Sequence, residues 1–417
     1  MMSLTKPLEE ALPDFFYYVP RTVAPPSEVI RCYLTPTSGG APVTGGSKAD
    51  FAIPCGTVGL HLDPSQTVLS FHINNGNTGP MTLDGGAHAV IQSINVYFGS
   101  THISSIDEYG ALFALVSGTV RGIDDYLPAA VATAANMKDA YYARNGATIA
   151  AGVNLMVALP LVSVLGTLAM KAIPLSQLQD SIKLETKFAS QTNWGTFVDA
   201  PSALYGCTIS DIKLHISQVR LNGDIEMAMV QSLGEISQCP TFDYEHYRST
   251  VAPNSGYISA QIPVRANLIC NIFIALRESS VTNGFSRKMI SLRTKAGMEN
   301  YRFRVGSTVI PQTAIKCTGS AAEARFELAR TSGSDVSDAA SRSCISAEEY
   351  LAGGYAVGLS LQAFPHTDAL SDGISTRKMH VVFESKIATN NPACYLDIWV
   401  QLEKIIVCQN GLMPYES

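Results

Sequence analysis

Two stretches of this chain, residues 94–103 (INVYFGSTHI) and residues 301–310 (YRFRVGSTVI), carry the same pattern. Each contains a strand-like run, then Gly-Ser-Thr, then a second short run that ends in isoleucine. Runs of this composition around a glycine are typical of β-strands that meet at a tight turn. About half the chain separates the two glycines, Gly99 and Gly306, so the same strand and turn are predicted to occur twice.

Two further pairs of segments follow in the same order. Residues 182–187 (IKLETK) resemble residues 381–386 (VVFESK), and residues 211–216 (DIKLHI) resemble residues 397–402 (DIWVQL). The spacing between the pairs drifts, which insertions in loops explain. Three matched pairs in one order indicate a duplicated domain, because repeats this long are whole domains and not the short units of a solenoid.

Strand-like runs separated by Gly, Pro and Asn turns dominate both halves of the chain. Helical periodicity is confined to a few short segments, at residues 107–116, 225–233, 323–329 and 346–351. Many short strands with such turns are typical of sandwiches and barrels, among them the jelly roll of two Greek keys. We therefore predict an all-β fold of two tandem eight-stranded antiparallel jelly rolls, with short helices in the loops.

The repeat divides the chain into five predicted parts. They are an N-terminal arm at 1–28, a first jelly roll at 29–223, a connector at 224–255, a second jelly roll at 256–411 and a C-terminal tail at 412–417. The arm carries four consecutive aromatic residues at 15–18, with prolines on either side. So short a segment cannot bury four rings alone, and we expect it to dock on another surface.

The composition points to an assembly. Of 417 residues, 46% are hydrophobic and only 15% are charged, against about 25% charged residues in an average domain. A chain so poor in charge is expected to bury surface beyond its own cores, as the subunits of obligate assemblies do. The net charge is −6, and the scattered Lys and Arg residues argue against a protein that wraps nucleic acid through its phosphates.

The nine cysteines indicate reduced thiols. Their number is odd and no Cys-x-x-Cys occurs, which disfavours both a disulfide framework and a zinc site. One uncharged stretch, residues 145–170, approaches the length of a membrane-spanning helix. Gly152, Pro160 and Gly166 interrupt it, so a buried strand followed by a loop is the preferred interpretation.

We find no pattern of residues that predicts catalysis. The eight histidines are scattered singly, and the paired acids at 124–125 and 348–349 are sequence neighbours whose side chains do not face one site. The oxygen-rich stretch 332–338 lacks the spacing of a known calcium loop. The sequence therefore predicts no catalytic, cofactor-binding or metal-binding residue, no cofactor, and a protein that is not an enzyme.

Several segments resemble double jelly-roll major capsid proteins, especially those of polinton-like and adinto-like DNA viruses. Residues 95–104 and then 107–112 resemble a strand, turn and Tyr-containing helix of the first jelly roll in that family. Residues 158–161 and 173–175 resemble its apolar Pro-containing segment, and residues 263–265 the opening of its second jelly roll. The Asn-Pro-Phe segment of the group is absent; the nearest sequence is Asn-Gly-Phe, at residues 283–285.

The resemblance implies a structural major capsid protein in an icosahedral virion. Three chains with two jelly rolls each would form a homotrimeric, pseudo-hexameric capsomer. The implied partners are the chain itself, neighbouring capsomers, and vertex and minor capsid proteins, without sequence-specific binding of nucleic acid. Contact with an internal membrane stays open. The implied location is the virion, assembled in the host cytoplasm or nucleus.

Two alternatives from other classes are a lectin-like or cupin-like double β-domain and a minor capsid or vertex component. A two-domain cupin would show His-x-His with a later Glu and His in each half, and neither half has this pattern. A vertex component usually has one barrel, which the repeat disfavours.

Overall fold

The computed structural model describes most of the chain. The described residues are 27–38, 42–84, 86–119, 148–178, 180–197, 206–225, 237–279, 290, 292–332, 350–351, 353–362, 373–408 and 412–415. The predicted N-terminal arm, apart from residues 27 and 28, lies outside them, as do most of the predicted helices at 225–233 and 346–351.

The first half of the chain forms twelve described strands and one α-helix. The strands are β1 Ser27–Leu34, β2 Lys48–Ile53, β3 Leu60–Asn75, β4 Met81–Leu83, β5 Ile91–Phe98, β6 Thr101–Asp107, β7 Thr148–Ile149, β8 Asn154–Pro160, β9 Ile173–Pro174, β10 Ile182–Phe188, β11 Gly195–Phe197 and β12 Cys207–Leu221. Helix α1 spans Tyr109–Thr119, and short 3-10 helices span Ala87–Val90, Leu175–Gln177 and Gln191–Asn193.

The second half adds nine described strands and a second α-helix. The strands are β13 Ser237–Val251, β14 Tyr257–Ile262, β15 Ile269–Glu278, β16 Asn300–Val305, β17 Thr308–Lys316, β18 Val357–Ser360, β19 Val381–Lys386, β20 Cys394–Cys408 and β21 Leu412–Tyr415. Helix α2 spans Ala322–Thr331, close to the helix predicted at 323–329.

Each half contains two antiparallel four-stranded sheets in the same order. In the first half they are β1-β12-β3-β8 and β2-β10-β5-β6, and in the second half β13-β20-β15-β18 and β14-β19-β16-β17. Of the remaining strands, β9 pairs with β3 and β21 with β20, and the short strands β11, β4 and β7 form a separate three-stranded sheet. The fold prediction of two tandem eight-stranded jelly rolls with short helices in the loops is confirmed.

The repeated segments lie on equivalent strands. The turn at Gly99 joins β5 to β6, and the turn at Gly306 joins β16 to β17. The second pair of segments forms β10 and β19, each in the second position of its sheet. On these strands, the repeated acids Glu185 and Glu384 are buried and form ion pairs with basic residues of adjacent strands. The duplication therefore preserves both strand position and side-chain environment.

Strands lie within the residues predicted as connector and tail. Residues 224–255 contain β13, which pairs along its whole length with β20 and begins the second jelly roll. Residues 412–417 contain β21, which pairs with the end of β20. The partners of the polar residues of β13 lie in distant parts of the chain. We propose that the second jelly roll extends from 237 to 415.

The apolar stretch at 145–170 forms strands and a loop where the structure describes it. Its central part is β8, at the edge of the first sheet, followed by a loop that leads to β9. Among the described residues, no helix combines the length and apolarity that crossing a membrane requires. The strand and the loop of the preferred interpretation are present, but β8 is only partly buried, and Met156 is 56% exposed.

The two turn glycines allow a matched test of backbone strain. Gly99 and Gly306 have φ of +56° and +59°, a region that side chains with a Cβ disfavour by about 1 kcal/mol or more. We expect Gly99→Ala and Gly306→Ala each to lower the free energy of unfolding by about 1 kcal/mol. Gly99→Ala should cost more, because its Cβ would lie 2.6 Å from Asp180 Oδ2.

Urea unfolding measures both losses. The control is Gly223→Ala, because Gly223 lacks positive φ and a Cβ there would meet no atom within 4 Å. Equal stability of all three variants would contradict the assignment of strain to the two turns.

Candidate functional site at the junction of the two jelly rolls

The two jelly rolls meet where β6 of the first lies against β13 of the second. The hydroxyl of Ser104 on β6 donates a hydrogen bond to Asp243 Oδ1 on β13, with a distance of 2.6 Å. The other carboxylate oxygen of Asp243 lies 2.8 Å from Lys404 Nζ on β20. Asp243 is buried, and inside the junction its carboxylate is bound by the Ser104 hydroxyl group and the Lys404 side chain.

The outer edge of β13 is also covered by the first jelly roll. Phe242 N–H donates to the carbonyl of Leu168, and Met170 N–H donates to the carbonyl of Pro240. Ala169 and Thr241 form the β-bridge between them. The loop between β8 and β9 therefore pairs with a strand edge that would otherwise expose its backbone groups.

A charge cluster lies at the centre of the junction, around Asp397 of β20. Asp397 is fully buried and accepts hydrogen bonds from Arg277 Nε at 2.6 Å and Arg248 Nε at 2.7 Å. His246 Nε2 lies 3.0 Å from the same carboxylate. Glu108, in the turn between β6 and α1, contributes the only carboxylate of this cluster that comes from the first jelly roll. Its oxygens lie 3.1 Å from Arg248 Nη2 and 3.2 Å from Arg277 Nη2.

The cluster keeps Asp397 and Arg277 charged despite their burial. Burial disfavours the ionised form of Asp397, but the hydrogen bond from His246 and the charges of Arg277 and Arg248 outweigh it and hold the pKa well below its usual range. Burial likewise disfavours the charged form of Arg277, but the charges of Asp397 and Glu108 outweigh this effect and raise the pKa of Arg277. Arg248 and Arg277 thus each bind one carboxylate from the first jelly roll and one from the second. These contacts fix the position of one jelly roll relative to the other.

A cleft of about 360 Å³ opens beside this cluster, between the two jelly rolls. Its charged walls are Glu108, Arg248, Arg277 and Glu278, and Arg248 also stacks over the ring of Tyr395 at 5.3 Å. Glu108 forms ion pairs with both Arg248 and Arg277. The arrangement is therefore suited to holding two domains together, and it presents no nucleophile with an adjacent base.

The sequence predicted no site residues, and the structure gathers a set that this reasoning missed. Asp397 lies in one of the repeated segments, but its counterpart in the first copy, Asp211, is half-exposed and pairs with Lys213. Glu108 and the arginines stand in strands and turns without any spacing signal. The acids at 124–125 and 348–349 and residues 333–338 lie outside the described residues. Within the described part, no group of three or more His, Cys, Asp or Glu side chains is arranged to hold a metal ion.

His88, which lies near the junction, makes the stability of the fold depend on pH. Its ring is fully buried on the 3-10 helix Ala87–Val90 and stacks on Phe113 of α1. Burial lowers the pKa of His88 to about 3, and the carbonyl of Pro160 opposes this only in part. The unfolded chain binds a proton below about pH 6.5 whereas the folded chain does not, so stability is complete above that pH and falls as the pH is lowered towards 3.

We expect the protein to lose about 2 kcal/mol of unfolding free energy through His88 between pH 7 and pH 5. His88→Phe, which keeps the aromatic contact, should remove that loss, as measured by urea unfolding at both pH values. His102→Gln is the control, because His102 is exposed on β6. An unchanged pH dependence in His88→Phe would contradict the burial of a neutral imidazole.

The fold is that of known capsid proteins. No protein-family model and no curated protein sequence matches the chain. Among solved structures, the PBCV-1 protein VP54, fitted into a reconstruction of the virophage Sputnik, is similar with a TM-score of 0.70 and 12% identity, over 97% of this chain and 100% of that chain. The Faustovirus major capsid protein has a TM-score of 0.60 and 8% identity, over 96% and 93% of the two chains.

The mavirus major capsid protein has a TM-score of 0.52 and 11% identity, over 100% of this chain and 96% of that chain. These matches span both halves and therefore include the tandem arrangement as well as the single jelly roll. The chain has the double jelly-roll fold of the major capsid proteins of double-stranded DNA viruses.

Proposed function

We propose that this chain is a structural, non-enzymatic major capsid protein, three copies of which form a pseudo-hexameric capsomer. The observation that carries the proposal is an asymmetry between two equivalent strands. β13, the first strand of the second jelly roll, is covered by β6 and the loop of residues 168–170. β1, which occupies the same position in the first jelly roll, has no fully buried residue.

The exposed face of β1 carries apolar side chains. Val29 and Tyr33 are 58% and 59% exposed, and Arg31 lies between them on the same strand. Alternate residues of a strand share one face, so these three side chains form one surface. An apolar strand at the edge of a sheet is a template for association unless another element covers it.

A complementary surface lies on the second jelly roll, at β17 and α2. β17 occupies the position that β6 has in the first jelly roll. Together with α2 it forms an open groove of about 480 Å³, whose apolar walls include Ile315 and Phe326, the latter 46% exposed. Glu323 and Glu327 line the same groove and have the charge opposite to that of Arg31. The groove thus suits β1 in both apolarity and charge.

The proposed contact repeats, between chains, the contact that exists within one chain. In one chain the β6 side of the first jelly roll lies against β13; between chains the β17 side would lie against β1 of the next copy. Such head-to-tail contacts form a closed ring when the rotation between units divides a full turn. Six jelly rolls around one axis correspond to three chains, which accounts for the duplication and for the low content of charge.

Further partners in this proposal are neighbouring capsomers and vertex and minor capsid proteins, with the virion as the location. The arm at 1–26 is proposed to contact a neighbouring subunit or another capsid layer, because its aromatic residues at 15–18 need a surface to cover them.

The experiment is the mass of the purified protein in solution. We expect light scattering at micromolar concentration to give about three times 44.6 kDa, and negative-stain microscopy to show particles of hexagonal outline. Deletion of residues 1–26 leaves β1 whole and should preserve the trimer while weakening its assembly into shells. A stable monomer of the full chain would overturn the capsomer proposal.

A further inference from the structure

We propose that Arg293 is the centre of an oxyanion-binding site on the second jelly roll, which accepts a carboxylate or phosphate group. The site lies at the end of the roll where β15 finishes and β20 begins. It is separate from the surfaces that would join the copies of a capsomer, so the inference does not depend on the proposed function.

The first observation is a buried guanidinium without a counter-ion. Arg293 is only 6% exposed, and its Nε and Nη1 atoms are buried without a hydrogen-bond partner. Its side chain forms no ion pair within 4.0 Å in the part of the chain that the structure describes. Its backbone is fixed, because Arg293 N–H donates to the carbonyl of Gly353 at 2.8 Å.

The second observation is that the surroundings leave the charge of Arg293 uncompensated. Burial lowers the pKa of Arg293 to about 10, so its side chain is still protonated at neutral pH. Tyr350 favours this charge and Arg277 disfavours it, and the carboxylates that bind Arg277, Asp397 and Glu108, are already shared with Arg248. A buried charge without a partner costs several kcal/mol, and proteins normally supply an opposite charge to avoid that cost.

The third observation is that Arg293 lines an open cleft of about 430 Å³. Lys295 contributes a second positive charge to the walls, and Asn390 contributes an amide. Glu278 is the carboxylate in the walls of this cleft, and it forms no ion pair with Arg293. The space exceeds the size of a carboxylate or phosphate group.

The chemistry favours an oxyanion over other ligands. A guanidinium presents planar N–H donors that match carboxylate and phosphate oxygens, and its hydrogen bonds to them are charge-assisted. Lys295 in the wall of the cleft adds a positive charge, but it does not fix the orientation of the oxyanion. Two oxyanions share this chemistry, a free phosphate-type ion and a carboxylate of the protein. The experiment distinguishes which of the two occupies the site.

The test is thermal unfolding of the full chain in sodium phosphate and in sodium chloride of equal ionic strength. We expect phosphate to raise the Tm of the wild type by about 2 °C or more and that of Arg293→Met by much less. Arg330→Met is the matched control, because Arg330 is exposed on α2 and should leave the phosphate effect unchanged. Lys295→Met should reduce the effect in part.

The second arm of the test examines a carboxylate of the chain as the source. Glu278→Gln is combined with Arg293→Met in a double-mutant cycle. A coupling between Arg293 and Glu278, without a phosphate effect, identifies the protein's own carboxylate as the occupant. Absence of both the phosphate effect and any such coupling overturns the proposal.

Discussion

Asp397→Asn is expected to lower the free energy of unfolding by about 3–5 kcal/mol, because it removes one partner of a buried charge cluster. Asparagine keeps the shape of the side chain but not its charge. Arg277, whose side chain is 11% exposed, would then lose its ion pair with Asp397, and Arg248 would compete with it for the carboxylate of Glu108. Equilibrium unfolding in urea measures the loss.

The duplication supplies a control for this prediction. Asp211 occupies the corresponding repeated segment in the first jelly roll, but its side chain is 49% exposed and its partner Lys213 lies two residues away. Asp211→Asn should therefore change stability by only a small fraction of the loss at Asp397. If the two variants were equally stable, the junction cluster would not be what holds the two jelly rolls together.

The second large effect concerns assembly. The double substitution Val29→Asp and Tyr33→Asp should convert the trimer to a monomer at micromolar concentration. It would place two carboxylates in an apolar groove next to Glu323 and Glu327, and this should weaken association by at least about 100-fold. Because both side chains are exposed in the single chain, the fold should be unaffected.

Light scattering measures the mass, and circular dichroism with urea unfolding checks that the variant is folded. Val58→Asp is the matched control, because Val58 is 76% exposed and lies on neither β1 nor the groove formed by β17 and α2. We expect Val58→Asp to remain a trimer. A trimer formed by the double variant would exclude β1 from the subunit interface.

The fold could be predicted from the sequence because its signals are local. The runs on either side of Gly99 and Gly306 define a strand, a turn and a second strand within a few residues, and the structure contains them in equivalent places. The alternation in residues 182–187 and 381–386 defines which side chains face the core of β10 and β19. Repetition of several such signals in one order was enough to predict two jelly rolls.

The strand β13 shows where local reasoning fails. Its alternating pattern is interrupted by polar residues, among them Asp243, His246 and Arg248, and it falls within the predicted connector at 224–255. These residues are tolerated in a buried strand because Lys404 and Asp397 of β20 neutralise them across the sheet. More than a hundred residues separate such partners in sequence, and no periodicity within either segment indicates the other.

The sequence by itself therefore determined the class of fold, the duplication and the preference for assembly, because period-two alternation, turn residues and low charge are properties of short segments or of the whole composition. Only the tertiary structure decided how the two jelly rolls are joined, which strand edge is left uncovered, and that Arg293 is buried without a counter-ion. These features depend on distances between side chains from remote segments. Such distances are fixed only when the sheets have packed.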